Sequence, residues 1–167
     1  RLNGLELSEG KPEHVTKLPE GTESRGRNHD LWLIGNTIND KVTICIEAKA
    51  DEPFGDNTVA AHGVKAVKDN KSSRVPERIR KLLALVPGDP DKWQGIRYQL
   101  LTALTGTAIQ AKIDKSDFAV FVVHEFRTWK TSPENHDRNA LDFETFLNTI
   151  GIEWTNKNPE ILYGPVK

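Results

Sequence analysis

The sequence predicts a single α/β domain built on a mixed β-sheet, and three observations lead to that prediction. Residues 30–35 and 41–50 form two apolar runs joined by a short polar turn, as in an antiparallel hairpin. Several segments with helical periodicity follow. Residues 118–126, FAVFVVHEF, are then apolar on both faces, which is typical of a central strand. Because a strand that arrives after long helices commonly lies parallel to a neighbour, we expect a further central strand and helices on both faces of the sheet.

Length, charge and hydropathy narrow the class of protein. The chain has 167 residues, of which 37% are hydrophobic, enough for one compact core. Its net charge of −1 is not that of a strongly basic nucleic-acid-binding domain. The sequence contains no apolar run of the roughly 18 residues that a transmembrane helix needs, and its first residues lack a signal-peptide pattern. We therefore expect a cytoplasmic protein with no membrane partner. The single cysteine, Cys45, lies in an apolar run and is predicted to be buried for packing.

The remaining elements are predicted from periodicity and capping residues. Residues 1–22 form a peripheral or poorly ordered segment of loops with a short helix near residues 12–17. One helix spans residues 59–67, and a second spans 76–86, with Ser73 near its N-cap. A long helix begins at Asp89-Pro90 and continues to Lys112. Its apolar stripe consists of Trp93, Ile96, Leu100, Leu104 and Ala108. A final helix covers residues 140–150 and stops at Gly151.

The hairpin carries two carboxylates in an apolar setting. Side chains alternate along a strand, so Glu47 and Lys49 share one face with Cys45. Pairing Gly35 with Val42 sets the register and places Asp30 opposite Glu47, with their Cβ atoms about 4.5–5.5 Å apart. Two carboxylates at that range need a shared proton or a bridging cation.

A hard divalent ion is the natural bridge between those carboxylates. Mg²⁺ or Mn²⁺ would take oxygen ligands from Asp30 and Glu47, and the carbonyl of Ala48 could supply a third. Lys49 could then orient an attacking water or stabilise negative charge that develops on a phosphoryl group. The pattern therefore predicts a metal-dependent enzyme that cleaves phosphodiester bonds.

An aspartate, a strand of hydrophobic residues and then Glu-X-Lys resembles the signature of the PD-(D/E)XK nuclease superfamily. The matching residues are Asp30, Glu47 and Lys49, with Ala48 in the X position. The proline that often precedes the aspartate is replaced by His29. The resemblance implies a restriction-endonuclease-like fold and a metal-dependent endonuclease, a hydrolase that acts on DNA rather than RNA.

Further site residues follow only from that resemblance. The phrase IEAKADEPFGDNTV is similar to an uncharacterised bacterial branch of the superfamily. Gln99 on the long helix corresponds to a polar group that often faces the active site. An upstream acid would complete the metal shell, and Glu23 is the better candidate, with Glu20 behind it. Many nucleases of this type cut both strands as dimers, so the resemblance leaves a homodimer open.

Basic residues could hold the nucleic-acid backbone. Ser24, Arg25 and Arg27 precede Asp30 and could contact phosphate. The segment from residue 65 to residue 81 contains seven basic and two acidic residues, which gives it a local charge of +5. The basic residues are Lys65, Lys68, Lys71, Arg74, Arg78, Arg80 and Lys81. A run of this kind is also typical of a solvated helix face.

Two alternatives stay open. Glu47 and Lys49 could form an ordinary ion pair at the surface end of a strand. The chain could also be a non-catalytic nucleic-acid or protein interaction module that retains the nuclease fold.

Overall fold

The computed structural model describes residues 2–19 and 26–153. The chain divides into two compact units. The first unit comprises Arg1–Ala50 and Thr102–Arg127, and the second comprises Asp51–Leu101 and Thr128–Lys167.

The first unit is built on a four-stranded mixed sheet in the order β1-β2-β3-β4. The strands are β1 (Glu6–Thr16), β2 (Arg27–Asn36), β3 (Lys41–Lys49) and β4 (Phe118–Glu125). Strands β1, β2 and β3 pair antiparallel, whereas β3 and β4 pair parallel. The prediction of an α/β fold with a hairpin, helices and a further strand in a mixed sheet is confirmed.

The register predicted for the hairpin is also confirmed where the two strands pair. The ladder runs from Leu31↔Ile46 to Asn36↔Lys41 and includes the pair Gly35↔Val42. The turn closes through the N–H of Thr37, which donates to the carbonyl of Asp40 over 2.8 Å.

Two predictions about the sheet are wrong. Residues 6–16, predicted as loops with a short helix near 12–17, form β1 instead. Most of this strand is exposed on both faces, so its sequence lacks the alternation that indicates a strand. The strand predicted at residues 118–126 exists, but β4 lies at an edge of the sheet among the described strands rather than at its centre. Its apolar side chains are accordingly only partly buried.

Helix α3 (Tyr98–Asp114) begins in the second unit and covers the sheet in the first. The predicted apolar stripe does not coincide with the buried face of α3. Leu104 and Ala108 are only half-buried, whereas Thr107 and Gln110 are buried. Thr107 satisfies its hydroxyl internally by donating to the carbonyl of Ala103 over 2.8 Å. A pattern that counts only apolar residues therefore misses this face.

The second unit is helical. It contains α1 (Val59–Asp69), α2 (Val75–Leu83), a 3₁₀ helix (Pro90–Gly95), the first turn of α3 and α4 (Pro133–Thr149). The predicted helices at 59–67 and 76–86 are confirmed with small shifts at their ends.

Two helix boundaries in this unit differ from the prediction. The long helix expected from Asp89 is two elements, since Asp89 caps the 3₁₀ helix and α3 starts only at Tyr98. Helix α4 begins well before residue 140, where the Ser132 side chain accepts from the N–H of Asn135. None of the described helices is long and apolar enough to cross a membrane.

Candidate active site at the end of strand β3

Two oppositely charged side chains are buried side by side at the end of β3. Glu47 and Lys49 are each 3% exposed, and Lys49 Nζ lies 3.0 Å from Glu47 Oε1. Cys45 and Thr43, two and four residues before Glu47, are also buried, which confirms that the odd-numbered side chains share the inner face. The alternative of an ordinary surface ion pair is therefore wrong. Removing both charges from water costs several kcal/mol per ion, so the pair is an expensive feature of this strand.

Arg27 is the second cationic partner of Glu47. Its Nη2 forms an ion pair with Glu47 Oε2, and its side chain is only 12% exposed. Burial lowers the pKa of the Arg27 guanidinium, and the nearby Asp30 carboxylate opposes that shift. Each carboxylate oxygen of Glu47 thus faces a cationic nitrogen.

A change of face in β2 brings Arg27 to this position. A Cβ atom on Gly106 of α3 would lie 2.9 Å from Arg27 Cγ and 3.2 Å from His29 Cε1, so both side chains face α3. Trp32 also faces α3, because its Nε1 donates to Asp114 over 2.9 Å. In a regular strand, residues three apart point to opposite faces. The alternation is therefore broken between His29 and Trp32, and Arg27 turns toward Glu47.

Asp30 anchors the neighbouring backbone. The β2–β3 ladder ends at Leu31↔Ile46, so the predicted pair of Asp30 directly opposite Glu47 is not part of it. Beyond the end of the ladder, Asp30 Oδ2 accepts a hydrogen bond from the N–H of Ala48 over 2.6 Å, and the Glu47 carboxylate pairs with Arg27 instead. Asp30 is half-buried and acts electrostatically on Arg27. We refer to Arg27, Asp30, Glu47 and Lys49 as the charged cluster; its formal charges sum to zero.

Glu47 does not need a metal ion to balance its charge. The cation expected between two carboxylates is already supplied to Glu47 by Arg27 and Lys49. Within residues 2–19 and 26–153, no group of three or more His, Cys, Asp or Glu side chains is placed to hold an ion. The oxygens of Asp30, Glu47 and Ala48 nevertheless suit Mg²⁺ or Mn²⁺, which need few protein ligands when a substrate phosphate completes the shell.

A buried polar network lies behind the charged cluster. Gln110 Nε2 donates to Asp114 Oδ1 over 2.8 Å, which leaves Gln110 Oε1 to accept from the Thr16 hydroxyl over 2.7 Å. Since that hydroxyl proton is used, His29 Nε2, 3.1 Å from Thr16 Oγ1, must be the donor of their bond. Burial, followed by the charge of Arg27, lowers the pKa of His29 to about 4. The imidazole is therefore neutral near pH 7.

A comparison with known protein families assigns the chain to one family. A family model matches residues 1–164, which span every helix and strand of the structure. The chain belongs to the family described as Domain of unknown function (DUF6946). No curated protein and no solved structure matches the sequence.

Several other predicted site residues of this DUF6946 domain belong to the second unit. Gln99 is in the first turn of α3, in the second unit, where its Oε1 lies 3.8 Å from the position of a Cβ on Gly55. Lys65 and Lys68 are exposed on α1, and Arg74 pairs with Glu77 over 3.2 Å in the same unit. The predicted residues Glu20, Glu23, Ser24 and Arg25 lie outside the described residues.

Sequence reasoning missed two groups in this DUF6946 domain. The first is the network of Thr16, His29, Gln110 and Asp114; its only signal is the i, i+4 spacing of Gln110 and Asp114 on one helix face. The second is an aromatic stack of His62 on Tyr98, with ring centroids 3.9 Å apart and Arg78 lying 5.8 Å from the Tyr98 ring centre. These three residues are far apart in the sequence, and no spacing indicates their contact.

Proposed function

We propose that this DUF6946 domain is a metal-dependent nuclease that hydrolyses phosphodiester bonds, with DNA in the cytoplasm as its substrate. The observation that carries the proposal is the burial of Glu47 and Lys49 side by side, 3.0 Å apart, at the end of β3. Buried charges weaken a fold unless they are fully compensated, and they concentrate where a protein does chemistry. The Asp30 contact with Ala48 puts a second carboxylate at the same end of the strand pair.

Asp30 and Glu47, with the carbonyl of Ala48, would hold the ion in this proposal. When bound, a Mg²⁺ or Mn²⁺ ion polarises a phosphoryl oxygen and makes a coordinated water more acidic. Lys49 keeps its ammonium beside Glu47, where it can orient the attacking water or stabilise negative charge on the phosphoryl oxygens. The water oxygen then bonds to phosphorus, the bond from phosphorus to the leaving sugar oxygen breaks, and solvent takes up the released proton.

The second unit would supply contacts to the DNA backbone. Lys65 and Lys68 are exposed on α1, and the Arg74 side chain is 61% exposed at the start of α2. Exposed cations bind phosphates without sequence preference and release counterions. Affinity for DNA should therefore fall steeply with added salt, and less steeply when Lys65 and Lys68 are both changed to Gln.

A second candidate function is favoured by the charge balance of the cluster. Because Arg27 and Lys49 already neutralise Glu47, the protein does not need an ion to keep this site folded. That arrangement suits a non-catalytic module that binds nucleic acid or protein and retains the nuclease fold.

Cleavage assays separate the two candidates. Supercoiled plasmid, single-stranded DNA and RNA are incubated with the protein and millimolar Mg²⁺ or Mn²⁺. The nuclease proposal predicts metal-dependent cleavage of DNA, which is lost in Glu47→Gln and Lys49→Met, with circular dichroism confirming that both variants fold. Cleavage of RNA alone would overturn DNA as the substrate. Binding of any of these substrates without cleavage would favour the second candidate.

The chain offers a matched control for these variants. Residues Glu9 and Lys11 on β1 form a second Glu-X-Lys sequence, and both side chains are exposed. Glu9→Gln and Lys11→Met make the same chemical changes on a strand without a buried charge. Both control variants should retain the cleavage activity of the unmodified protein.

A further inference from the structure

We infer that Arg27 is an internal counter-ion of Glu47 that a substrate phosphate displaces, so that the metal ion and the phosphate bind cooperatively. The inference rests on the proposed function and concerns the regulation of the same site. It assigns Arg27 two alternative partners: Glu47 when the site is free, and a phosphodiester when substrate is bound.

The contacts of Glu47 show why a metal ion must compete. Oε2 faces Nη2 of Arg27, and Oε1 faces Nζ of Lys49. An ion that takes a Glu47 oxygen must therefore displace one cationic nitrogen or approach it closely. Like charges repel strongly where water is largely excluded, and both Glu47 and Lys49 are almost fully buried. The free protein should accordingly bind Mg²⁺ or Mn²⁺ weakly.

The charge balance of the cluster explains why a phosphate should assist metal binding. The charged cluster sums to zero, and a divalent ion alone would leave two uncompensated positive charges in it. A phosphodiester returns one negative charge and offers oxygens to both the ion and the displaced guanidinium. Each ligand therefore improves the site for the other, which is positive cooperativity with a negative, favourable coupling free energy.

Arg27 is better suited than Lys49 to change partners. Its side chain is 12% exposed, whereas the Lys49 side chain is 3% exposed. Arg27 Nε is buried and makes no hydrogen bond within the described parts of the chain, so its N–H can donate to a ligand. A guanidinium also matches the geometry of phosphate oxygens with two parallel donors. Gly106 packs against the Cβ and Cγ of Arg27 and restricts the stem rather than the guanidinium.

Titration with Mn²⁺ alone and with dimethyl phosphate, a phosphodiester with one negative charge, tests the inference. For the unmodified protein we expect dimethyl phosphate to tighten Mn²⁺ binding by about tenfold, within the usual range of coupling between two ligands. Arg27→Gln should bind Mn²⁺ about tenfold more tightly than the unmodified protein when phosphate is absent, and should lose most of the coupling. Glu47→Gln added to Arg27→Gln should abolish the gain.

Two further variants keep the test decisive. Gly106→Ala adds a methyl group at 2.9 Å from Arg27 Cγ, so the stem of Arg27 must shift without any change of charge; this should weaken the contact with Glu47 and also tighten Mn²⁺ binding. Lys11→Gln removes one positive charge from an exposed side chain on β1 and should leave Mn²⁺ binding unchanged. An equal gain in Lys11→Gln would mean that net charge, rather than the Arg27 contact, controls the site.

The failure of this inference is distinguishable from failure of the proposed function. If the unmodified protein cleaves DNA but shows less than about twofold coupling, Arg27 is not a displaceable counter-ion and the nuclease proposal stands. If coupling is found without cleavage and is lost in Arg27→Gln, the Arg27 role stands and catalysis fails. If Arg27→Gln does not fold, the Mn²⁺ affinity of Gly106→Ala decides whether the contact of Arg27 with Glu47 opposes the ion. Absence of Mn²⁺ binding with and without dimethyl phosphate would overturn the inference.

Discussion

The guanidinium of Arg27 pairs with the carboxylate of Glu47, on the strand face where alternation would have placed Asp30. The pair exists because β2 changes face between His29 and Trp32, as their common contact with α3 shows. One irregular step in a strand thus exchanges an acid for a base opposite Glu47. Repulsion between two carboxylates, which a metal ion would have to relieve, is thereby replaced by a compensated set of charges.

The Glu47 carboxylate should be important for folding as well as for the proposed chemistry. Glu47→Gln leaves Arg27 and Lys49 buried beside a neutral amide, and breaking such a buried pair costs about 3–5 kcal/mol. Urea unfolding followed by circular dichroism measures the loss. Glu9→Gln on exposed β1 should change the free energy of unfolding by less than about 0.5 kcal/mol. A loss in Glu47→Gln as small as in Glu9→Gln would contradict the compensated cluster.

His29 should make the protein less stable in mild acid. The folded-state pKa of about 4 is below the ordinary value of 6.5, so the unfolded chain binds more protons at this residue between those two values. Stability is therefore present above pH 6.5 and falls as the pH drops toward 4, by about 3 kcal/mol in total. Comparing unfolding of the unmodified protein with His29→Gln from pH 4 to 7 isolates this contribution. Equal pH profiles for the two proteins would show that His29 titrates normally.

Asp114 should be a major determinant of stability in the first unit. Its carboxylate accepts from Trp32 Nε1 over 2.9 Å, from the Thr43 hydroxyl over 2.8 Å and from Gln110 Nε2 over 2.8 Å. Asp114→Ala removes the acceptor of Trp32 Nε1 and Gln110 Nε2, whereas the Thr43 hydroxyl keeps Ser116 Oγ at 2.8 Å; we expect a loss of about 3 kcal/mol in the free energy of unfolding. Asp137→Ala removes an exposed aspartate from α4 and is the control. If both variants unfold at the same urea concentration, the hydrogen bonds of Asp114 do not contribute to stability.

Cys45 should report unfolding through its reactivity. Its side chain is fully buried, and burial raises the pKa of its thiol to about 12. At pH 8 we expect the folded protein to react with a disulfide reagent far more slowly than the protein in denaturant. Because the sequence contains one cysteine, the reaction has a single site. Rapid reaction of the folded protein would contradict the packing of Cys45 between β3 and α3.

More of the fold than of the candidate site could be predicted from the sequence. The hairpin register followed from an apolar pattern and turn residues, because one face of β3 is buried and that fixes the pairing. Strand β1 could not be predicted, since side chains exposed on both faces leave no alternation. The contact of Arg27 with Glu47 depends on the change of face in β2, which neither composition nor periodicity indicates.

Helix α3 shows a second limit of the sequence. Its inner face is lined by threonines and Gln110, which hydrogen bonds make compatible with burial. A hydrophobic stripe cannot predict a face whose burial depends on partners from β1 and β2. The polar network behind the charged cluster was for that reason found only in the structure.

Paramagnetic broadening by Mn²⁺ tests most directly whether the charged cluster holds the ion. Mn²⁺ and dimethyl phosphate are added to ¹⁵N-labelled protein at a small fraction of its concentration, and amide signals are followed by NMR. We predict that the signals of Ala48 and Lys49 at the end of β3 broaden first, while those of Glu9 and Lys11 on β1 stay sharp. Broadening confined to β1 or to the second unit, or no broadening at any described residue, would contradict a metal-dependent site at Glu47.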